Sequence, residues 1–312
     1  MIVVTGACGF IGSRVLEGIY NLRPEEKIIA VDYISDENVR KVSSFPIYDF
    51  ISPESFLKRS DLILKDTSCV FHQGAISDTT YKDTDRLMSM NHQYTKTLIS
   101  RAVVAKSKII YASSAAVYGS GENGFKEEIE CESPMNVYGF TKSLVDNWVR
   151  HNHFLKSYNV FGLRYFNVYG MGEEHKGGMS SPVFSFFKSA IENSEIKIFE
   201  GSRDYSRDFV YVDDVVKVNL ECAFGNIVPG IYNVGSGKPI SFHDVATIVS
   251  EFVENNTSIL EVPFPENLKG RYQKYTNADL NKLRKAGYKK RMTDPRKGIS
   301  KYLMDLRRSQ AK

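Results

Sequence analysis

The sequence predicts an α/β protein built on a doubly wound parallel sheet, with a smaller mixed α/β lobe towards its C-terminus. Three observations predict this class. Short apolar runs rich in β-branched residues alternate with helix-length amphipathic segments up to about residue 170. A glycine-rich turn joins the first apolar run to the first helix-like segment. Beyond residue 170 the alternation gives way to glycine-rich loops and mixed short elements, which indicates a second lobe.

The predicted elements follow this alternation in chain order. The run "MIVVT" at 1–5 is a buried strand ended by Gly6, and residues 10–21 form a helix with Val15, Leu16 and Ile19 on one face. The other strand-like runs lie at 27–32, 69–75, 108–114, within 158–170, 207–214 and 230–237. The other helix-like segments lie at 85–104, 136–154 and 214–224. Strands that alternate with helices of this length build a parallel sheet covered on both faces.

Composition argues against several classes of function. The 312 residues are 42% apolar and 25% charged, which is enough apolar surface for a folded core. The net charge of +4 is small, so we expect neither a nucleic-acid nor a membrane partner, because such binding needs a concentrated basic face. The four cysteines form no C-x-x-C pair, so we expect no metal and no disulfide framework. Since we find neither a signal peptide nor an apolar run of ~18 residues, the expected location is cytoplasmic.

The segment "TGACGFIG" predicts a dinucleotide site. Gly6-x-x-Gly9-x-x-Gly12 lies between a strand and a helix, where the first glycine permits a sharp turn and the second lets backbone approach a pyrophosphate. The third lets the helix pack on the strand, and the helix N-terminus offers free N–H groups to the anion. Taken alone, the glycines would also fit an ordinary turn between a strand and a helix. Asp32, however, ends the next strand about 20 residues on, as a dinucleotide site requires.

The same region leaves the choice of cofactor open. Asp32 would accept hydrogen bonds from the adenosine ribose hydroxyls, which favours NAD. Arg14, Arg40 and Lys41 could instead hold a 2′-phosphate, which favours NADP, unless they are solvated helix and loop charges. The residues alone therefore predict a nicotinamide dinucleotide without deciding which one.

A second motif predicts proton transfer. The stretch "YGFTK" places Tyr138 and Lys142 four residues apart in a helix-like segment, so that both side chains lie on one face. A neighbouring ammonium stabilises phenolate, and we expect the pKa of Tyr138 to fall towards neutrality. Ser113 or Ser114, at the end of a strand, would hydrogen-bond the reacting oxygen at the carboxyl edge of the sheet. Such a tyrosine can take a proton from an alcohol while a nicotinamide takes the hydride.

These motifs together resemble those of the extended short-chain dehydrogenase/reductase family, which contains the NAD-dependent epimerases and dehydratases of nucleotide sugars. The matching stretches are "GACGFIG", "HQGA", the Ser113–Ser114 pair, "YGFTK" and "RYFNVYG". The resemblance implies a Rossmann-type NAD(P)-binding domain at 1–167 plus 203–234 and a nucleotide-sugar substrate lobe at 168–202 plus 235–312. It also implies a bound nicotinamide, NADP with NAD as the alternative, that is reduced and reoxidised in each turnover.

Within that family the chain resembles the enzymes that epimerise ADP-linked heptoses at C6. The stretches "EHKGGM", "FEGS", "RDFVYV" and "PFPENLKGRYQ" carry this resemblance into the C-terminal lobe. It implies an ADP-heptose substrate, a role in lipopolysaccharide inner-core synthesis and a homo-oligomer. Inversion needs proton handling from two sides, so the resemblance implies Tyr138 and Lys176 as the two acid/base groups. The neighbouring Glu173 and Glu174 are expected to be solvated loop charges.

The resemblance further implies which residues contact each group. The catalytic residues would be Ser114, Tyr138, Lys142 and Lys176. The cofactor contacts would be Gly6, Gly9, Phe10, Ile11, Gly12, Asp32, Tyr33, Arg40, Gln73, Gly74, Ala75, Ser77, Asn91, Lys142 and Val168. The substrate contacts would be Asn167, Phe199, Glu200, Gly201, Ser202, Arg207, Arg271 and Tyr272.

Three rival functions share parts of this pattern. A UDP-hexose 4-epimerase would carry the same glycine turn and Ser-Tyr-Lys set, but Lys176 and the stretch "KGRY" at 269–272 argue against it. A sugar 4,6-dehydratase needs a carboxylic acid beside the active-site hydroxyl, whereas Ala115 and Ala116 follow Ser114. A non-catalytic nicotinamide-binding regulator often loses the tyrosine or the lysine, and this chain keeps both.

Overall fold

The computed structural model describes residues 1–253, 257–266 and 273–310. Of the strands in the described residues, seven form one sheet and the other six lie in the C-terminal half of the chain. In chain order the strands are β1 (Ile2–Thr5), β2 (Ile28–Val31), β3 (Asp49–Ile51), β4 (Cys69–His72), β5 (Lys108–Ser114), β6 (Val160–Tyr165), β7 (Asn167–Tyr169), β8 (Glu195–Phe199), β9 (Ser206–Arg207), β10 (Phe209–Tyr211), β11 (Gly230–Val234), β12 (Ile240–Ser241) and β13 (Ser258–Val262).

Several helices begin where a polar side chain caps the first turn. Ser52 accepts a hydrogen bond from Ser55 N at the start of one helix, and Asn136 accepts one from Gly139 N at the start of another. In chain order the helices are α1 (Phe10–Leu22), α2 (Asp36–Val42), α3 (Pro53–Ile63), α4 (Thr84–Leu87), α5 (Tyr94–Val104), α6 (Val137–His151), α7 (Phe154–Ser157), α8 (Pro182–Asn193), α9 (Val212–Phe224), α10 (Phe242–Val253), α11 (Asn281–Lys285) and α12 (Pro295–Gln310).

A seven-stranded parallel sheet forms the centre of the molecule. Its strand order is β11-β6-β5-β4-β1-β2-β3, and every neighbouring pair is parallel. The order reverses direction between β1 and β4, so their carboxyl ends flank a crevice where ligands bind in folds of this kind. The prediction of a doubly wound parallel sheet is therefore confirmed.

The first strand shows why helices cover both faces of the sheet. Ile2 and Val4 pack in one apolar core with residues of α1 and α9, while Val3 packs in the other with residues of α3, α5 and α6. Side chains along a strand alternate between the two faces, and all of β1 is buried. An uninterrupted apolar run is thus what a strand buried on both sides requires.

One predicted helix is interrupted. The segment expected as a single helix over 85–104 consists of α4, a π-helical turn at Met88–Gln93 and α5. Asn91, in this turn, is fully buried; its side chain accepts a hydrogen bond from Ile76 N at 2.8 Å and donates one to Ile76 O at 2.9 Å. The turn therefore directs a polar side chain inwards against the loop that follows β4, as π-helical turns near functional sites often do.

The C-terminal part of the chain has an apolar core of its own. Tyr169, Phe187 and Tyr302 lie in a cluster formed mainly by α8, α10 and α12. Short two-stranded sheets accompany these helices: β7 with β10 and β8 with β13 are parallel pairs, and β9 with β12 is antiparallel. This mixed α/β character agrees with the predicted smaller lobe, while the exact residue boundaries of the two domains stay a prediction.

Candidate active site

A cavity of about 750 Å³ lies at the carboxyl edge of the sheet. The ends of β1, β2, β4 and β5 line it together with α6 and residues of the segment 175–182. Most of the predicted site residues meet here. Those that line the cavity are Gly6, Gly9, Phe10, Ile11, Gly12, Asp32, Tyr33, Gln73, Gly74, Ala75, Ser77, Ser114, Tyr138, Lys142, Asn167, Val168 and Lys176.

The turn after β1 leads directly into α1, whose first residues line this cavity and whose first backbone amides have no partner inside the helix. Gly6 has φ +66°, and a Cβ there would lie 2.6 Å from Gly74 N, so the turn needs glycine. A Cβ on Gly12 would lie 1.8 Å from Gly6 O, which fixes how closely α1 approaches the turn. The helix begins after Gly9, which has no side chain to occupy the first amides. These amides and the positive end of α1 fit the pyrophosphate of a dinucleotide.

Asp32 braces the same turn. One of its carboxylate oxygens accepts a hydrogen bond from Cys8 N at 2.8 Å, and the other accepts one from Tyr33 N at 2.8 Å. Each oxygen keeps a lone pair for a ribose hydroxyl. Burial, reinforced by the Asp32 charge, raises the pKa of the Cys8 thiol to about 12, so Cys8 is a neutral packing residue rather than a nucleophile.

The loop after β4 is held by buried polar groups that sequence reasoning missed. Tyr165 donates a hydrogen bond to Gln73 Oε1 at 2.9 Å, and Gln73 Nε2 donates to Asn219 at 3.1 Å. His72 lies between the hydroxyls of Thr5 and Thr95, at 2.6 Å and 2.8 Å. Burial lowers the pKa of His72 to about 3, so its ring stays neutral and serves as a hydrogen-bonding spacer.

Ser114, Tyr138 and Lys142 form the candidate proton-transfer group. Lys142 is nearly fully buried; its Nζ donates a hydrogen bond to Ala112 O at 2.9 Å and lies 5.9 Å from the centroid of the Tyr138 ring. Burial lowers the pKa of Lys142 to about 8, an effect that the Asp146 carboxylate opposes. The amine is therefore still mostly protonated at neutral pH.

The expected fall in the pKa of Tyr138 is not what the geometry gives. Burial raises the pKa of the phenol, and a hydrogen bond with Ser114 works in the opposite direction. The prediction considered the charge of Lys142 and left out the desolvation of the hydroxyl. Tyr138 is accordingly protonated at neutral pH, in hydrogen-bond contact with the hydroxyl that the sequence paired with it.

A buried ionic network behind β5 distinguishes Ser113 from Ser114, because Ser113 belongs to it. Ser113 donates a hydrogen bond to Asp146 at 3.0 Å, and Arg164 Nε donates to the same carboxylate oxygen at 2.8 Å. Both Asp146 and Arg164 are fully buried. Ser113 is thus committed to the network, which leaves Ser114 as the serine beside Tyr138. Asp146 follows Lys142 by four residues on the same helix face, the one sequence signal that pointed to it.

Lys176 is a cavity residue and not a solvated charge. It lies in a short helical turn at Glu174–Met179, and its Nζ is 5.5 Å from the centroid of the Phe10 ring. Burial lowers the pKa of the amine, and the charge of Glu173 opposes this. The expectation that Glu173 is solvated is wrong, because its side chain is fully buried; Glu174 is exposed as expected.

Other predicted contact residues are not part of the cavity lining formed by the described residues. Asn91 hydrogen-bonds Ile76, which does line the cavity, and Arg40 Nε donates to Asp36 O at 3.2 Å on the surface of α2. Phe199, Glu200, Gly201 and Ser202 follow β8, and Arg207 is buried with its guanidinium 5.7 Å from the Phe242 ring centroid. Arg271 and Tyr272, with the rest of the stretch 269–272, lie outside the described residues.

Metal ligands and membrane-spanning helices were not expected from the sequence, and the relevant observations cover residues 1–253, 257–266 and 273–310. Nowhere in these residues do three or more His, Cys, Asp or Glu side chains lie close enough together to hold a metal ion. The same ranges hold no helix that is both long and apolar enough to cross a membrane. All four cysteines are buried free thiols, in agreement with the prediction of no disulfide framework.

Known proteins share both the sequence and the architecture of this chain. Residues 2–235 match the NAD dependent epimerase/dehydratase family. The ADP-L-glycero-D-manno-heptose-6-epimerase of Brachyspira hyodysenteriae is 41% identical over 99% of this chain and 98% of its own. The crystal structure of the Helicobacter pylori ADP-L-glycero-D-manno-heptose-6-epimerase superposes with a TM-score of 0.86 at 29% identity, covering 98% of this chain and 96% of its own.

A solved structure of a different epimerase is also similar. The UDP-glucose 4-epimerase of Thermotoga maritima, with UDP-glucose, has a TM-score of 0.83 and 25% identity over 99% of each chain. The similarity therefore extends to relatives that act on different nucleotide sugars. Since the family match spans most of the chain, and its glycine turn, tyrosine and lysine meet at one cavity, the chain belongs to the NAD dependent epimerase/dehydratase family.

Proposed function

We propose that this protein is an isomerase that interconverts ADP-D-glycero- and ADP-L-glycero-D-manno-heptose by epimerisation at C6, in lipopolysaccharide inner-core synthesis in the cytoplasm. The observation that carries the proposal is that Tyr138 and Lys176 line one cavity from separate elements, α6 and the turn at Glu174–Met179. The 41% identical relative, matched over 98% of its length, supports the choice of substrate.

The cavity supplies the groups that inversion of a secondary alcohol needs. When bound, the nicotinamide would take a hydride from C6 and return it to the opposite face. Tyr138 gives its phenolic proton to the sugar oxygen when the sugar is reduced, and the resulting phenolate takes a proton from the sugar hydroxyl in the reverse direction. Ser114 donates a hydrogen bond to the same oxygen. Lys142 holds its cationic amine beside this pair and is positioned to bind the nicotinamide ribose.

A second acid/base group is needed because inversion presents the sugar oxygen at a different position when the hydride returns. One fixed phenol cannot reach the oxygen in both orientations. Lys176 fits this second position, since its amine lies at the cavity and burial lowers its pKa towards the working range of a general base. The proposed chemistry thus assigns one half-reaction to Tyr138 and the other to Lys176.

The proposal is tested by incubating the purified protein with each ADP-heptose epimer in turn and following the products by proton NMR. We expect both epimers to reach the same equilibrium mixture. UDP-glucose serves as the rival substrate. Turnover of UDP-glucose without turnover of either ADP-heptose would establish the UDP-hexose 4-epimerase alternative. Nicotinamide binding without turnover of any of these sugars would favour the non-catalytic regulator.

We further infer that the protein prefers NAD to NADP, although the sequence-based prediction gave NADP first and NAD as the alternative. Asp32 and Glu37 place two carboxylates at the end of the cavity nearest β2. The nearby Lys41 amine already forms an ion pair with Glu37 at 2.8 Å. A 2′-phosphate would meet net negative charge here, whereas ribose hydroxyls can donate hydrogen bonds to Asp32.

The other basic residues considered for a 2′-phosphate are engaged elsewhere. Arg14 forms ion pairs with Glu17 and with Asp213, the latter at 3.1 Å. Arg40 donates to Asp36 O on the outer side of α2. Neither side chain belongs to the lining of the cavity in the described residues. Among the described residues, Lys41 is therefore the basic side chain that lines the cavity beside Glu37.

Titration calorimetry of the protein freed of copurified nucleotide tests this preference. We expect NAD⁺ to bind at least ~10-fold more tightly than NADP⁺, a difference of roughly 1.4 kcal/mol. The Glu37→Gln variant removes the partner of Lys41 and should narrow the ratio. Glu25→Gln, the same change at an exposed surface residue, should leave the ratio unchanged. Equal or tighter binding of NADP⁺ by the unmodified protein would contradict the inference.

A further inference from the structure

The segment from Gly170 to Ser181 carries Lys176, and its middle has little to hold it. A Cβ added to Gly177 or to Gly178 would meet no atom of the described residues within 4 Å. Both glycines are exposed, and Gly177 has φ +53° in the middle of the turn. The position of Lys176 must therefore be set mainly at the two ends of the segment.

Glu173 connects these two ends through its side chain. Its Oε1 accepts hydrogen bonds from Gly170 N at 3.1 Å and from Ser181 Oγ at 2.8 Å. Its Oε2 accepts a hydrogen bond from Ser181 N. The side chain is fully buried, although a carboxylate is normally a surface group. Such burial is tolerated because both carboxylate oxygens accept hydrogen bonds.

The far end of the segment is also the start of α8. Ser181 is the N-cap of that helix, and its Oγ accepts a hydrogen bond from Phe184 N at 3.3 Å. A carboxylate at this point faces the positive end of the helix, which favours its charge. At the near end, Glu173 O accepts a hydrogen bond from Lys176 N at 2.9 Å. Glu173 thus contacts the lysine's own backbone as well as both ends of the segment.

We propose that Glu173 is the positioning residue for Lys176: its buried carboxylate ties Gly170 to Ser181 and so holds the Lys176 amine at the cavity. The proposal rests on the proposed function, in which Lys176 is the second acid/base group. A carboxylate suits the task because both of its oxygens accept hydrogen bonds. A glutamine would keep one acceptor and set an NH₂ group against the Ser181 donors.

The first arm of the test is independent of substrate. Hydrogen exchange is measured on the amides of 174–181 in the whole protein, for Glu173→Gln and for Glu174→Gln. Glu174 is the matched control, because it is adjacent but exposed and accepts a single hydrogen bond, from Gly172 N at 2.9 Å. We expect exchange in 174–181 to rise at least ~10-fold in Glu173→Gln, with the rest of the chain unchanged, and to stay the same in Glu174→Gln.

The second arm uses single-turnover reduction of bound nicotinamide by each ADP-heptose epimer. If Glu173 positions Lys176, Glu173→Gln should slow the half-reaction that depends on Lys176 by at least ~10-fold. The rate of the Tyr138-dependent half-reaction should stay within about twofold of that of the unmodified protein. Lys176→Met identifies which epimer reports on which group. Replacing a residue that is needed only for folding would slow both half-reactions alike. A difference between the two half-reactions therefore separates a positioning role from a general loss of folded protein.

Each result decides the proposal. Unchanged exchange in Glu173→Gln, or a rise spread over the whole chain, overturns the local tie. A local rise in exchange with both half-reactions intact overturns the positioning role. If the unmodified protein turned over neither epimer, the proposed function would fail, and the exchange arm would still decide whether Glu173 holds the segment. If Glu173→Gln does not fold, Glu173→Asp, which keeps the charge on a shorter side chain, replaces it in both arms.

Discussion

Replacing Tyr138 with phenylalanine is expected to lower kcat for ADP-heptose epimerisation by roughly 10²–10⁴-fold while nicotinamide stays bound. The change removes only the hydroxyl, which is in hydrogen-bond contact with Ser114 and lines the cavity. Lys142 keeps its hydrogen bond to Ala112 O in the variant, so its place beside the cofactor site is retained. The loss should therefore appear in kcat, with the dissociation constant of the nicotinamide within about twofold of the unmodified protein.

The measurement combines steady-state epimerisation with calorimetric binding of the nicotinamide. Tyr48→Phe is the matched control, because Tyr48 is exposed and far along the chain from the motif, and it should keep full activity. Retention of more than about a tenth of kcat by Tyr138→Phe would mean that another group takes the sugar proton. The assignment of Tyr138 as an acid/base group would then be wrong.

The elements that the sequence predicted best are those whose signal is local. The run 108–114 corresponds to β5 (Lys108–Ser114) without an error at either end, because a strand buried between two neighbours reads as a plain apolar run. The glycine turn was equally readable, since the positive φ of Gly6 and the close contact between Gly12 and Gly6 O both arise within the turn. Local steric constraints and periodicity depend on consecutive residues, so a single sequence is enough to detect them.

The features that the sequence could not supply depend on partners far along the chain. The sequence names Asn91 as a cofactor contact, but not its hydrogen bonds to the cavity-lining Ile76, which depend on a π-helical turn that apolar spacing does not encode. Arg14 was a candidate for a 2′-phosphate, and its partner Asp213 lies 199 residues away. The pKa of Tyr138 moves in the opposite direction from the prediction because desolvation is set by the packing around the hydroxyl.

Glu173 shows most clearly that a contact made in three dimensions cannot be predicted from neighbouring residues in the sequence. In the sequence it is one of two adjacent glutamates in a glycine-rich loop, and nothing in their spacing separates them. In the fold, Glu173 is buried against Ser181 while Glu174 is exposed. The difference arises from the start of α8 and the turn after β7, which meet only in three dimensions. A resemblance can therefore name Lys176 as a site residue without revealing what holds it in place.

Replacing Lys176 with methionine is expected to lower epimerisation by roughly 10²–10³-fold, because the variant keeps the length of the side chain and loses the amine. The more specific expectation is an asymmetry. One ADP-heptose epimer should still reduce the bound nicotinamide in a single turnover, since that half-reaction uses Tyr138. The other epimer should fail to do so, and Tyr138→Phe should show the reverse preference. This crossed pattern is what two acid/base groups at separate positions require.

Lys188→Met, the same change at an exposed position of α8, is the control and should behave as the unmodified protein. The pH dependence of the two half-reactions gives a further test, because the direction of each change can be predicted. Since burial lowers the pKa of Lys176, the half-reaction in which it accepts a proton should speed up as the pH rises through that pKa, and the reverse half-reaction should slow. If both epimers were oxidised equally well by Lys176→Met, Tyr138 alone would handle both protons. Lys176 would then be a binding residue, and the loss in turnover would appear in KM and not in kcat.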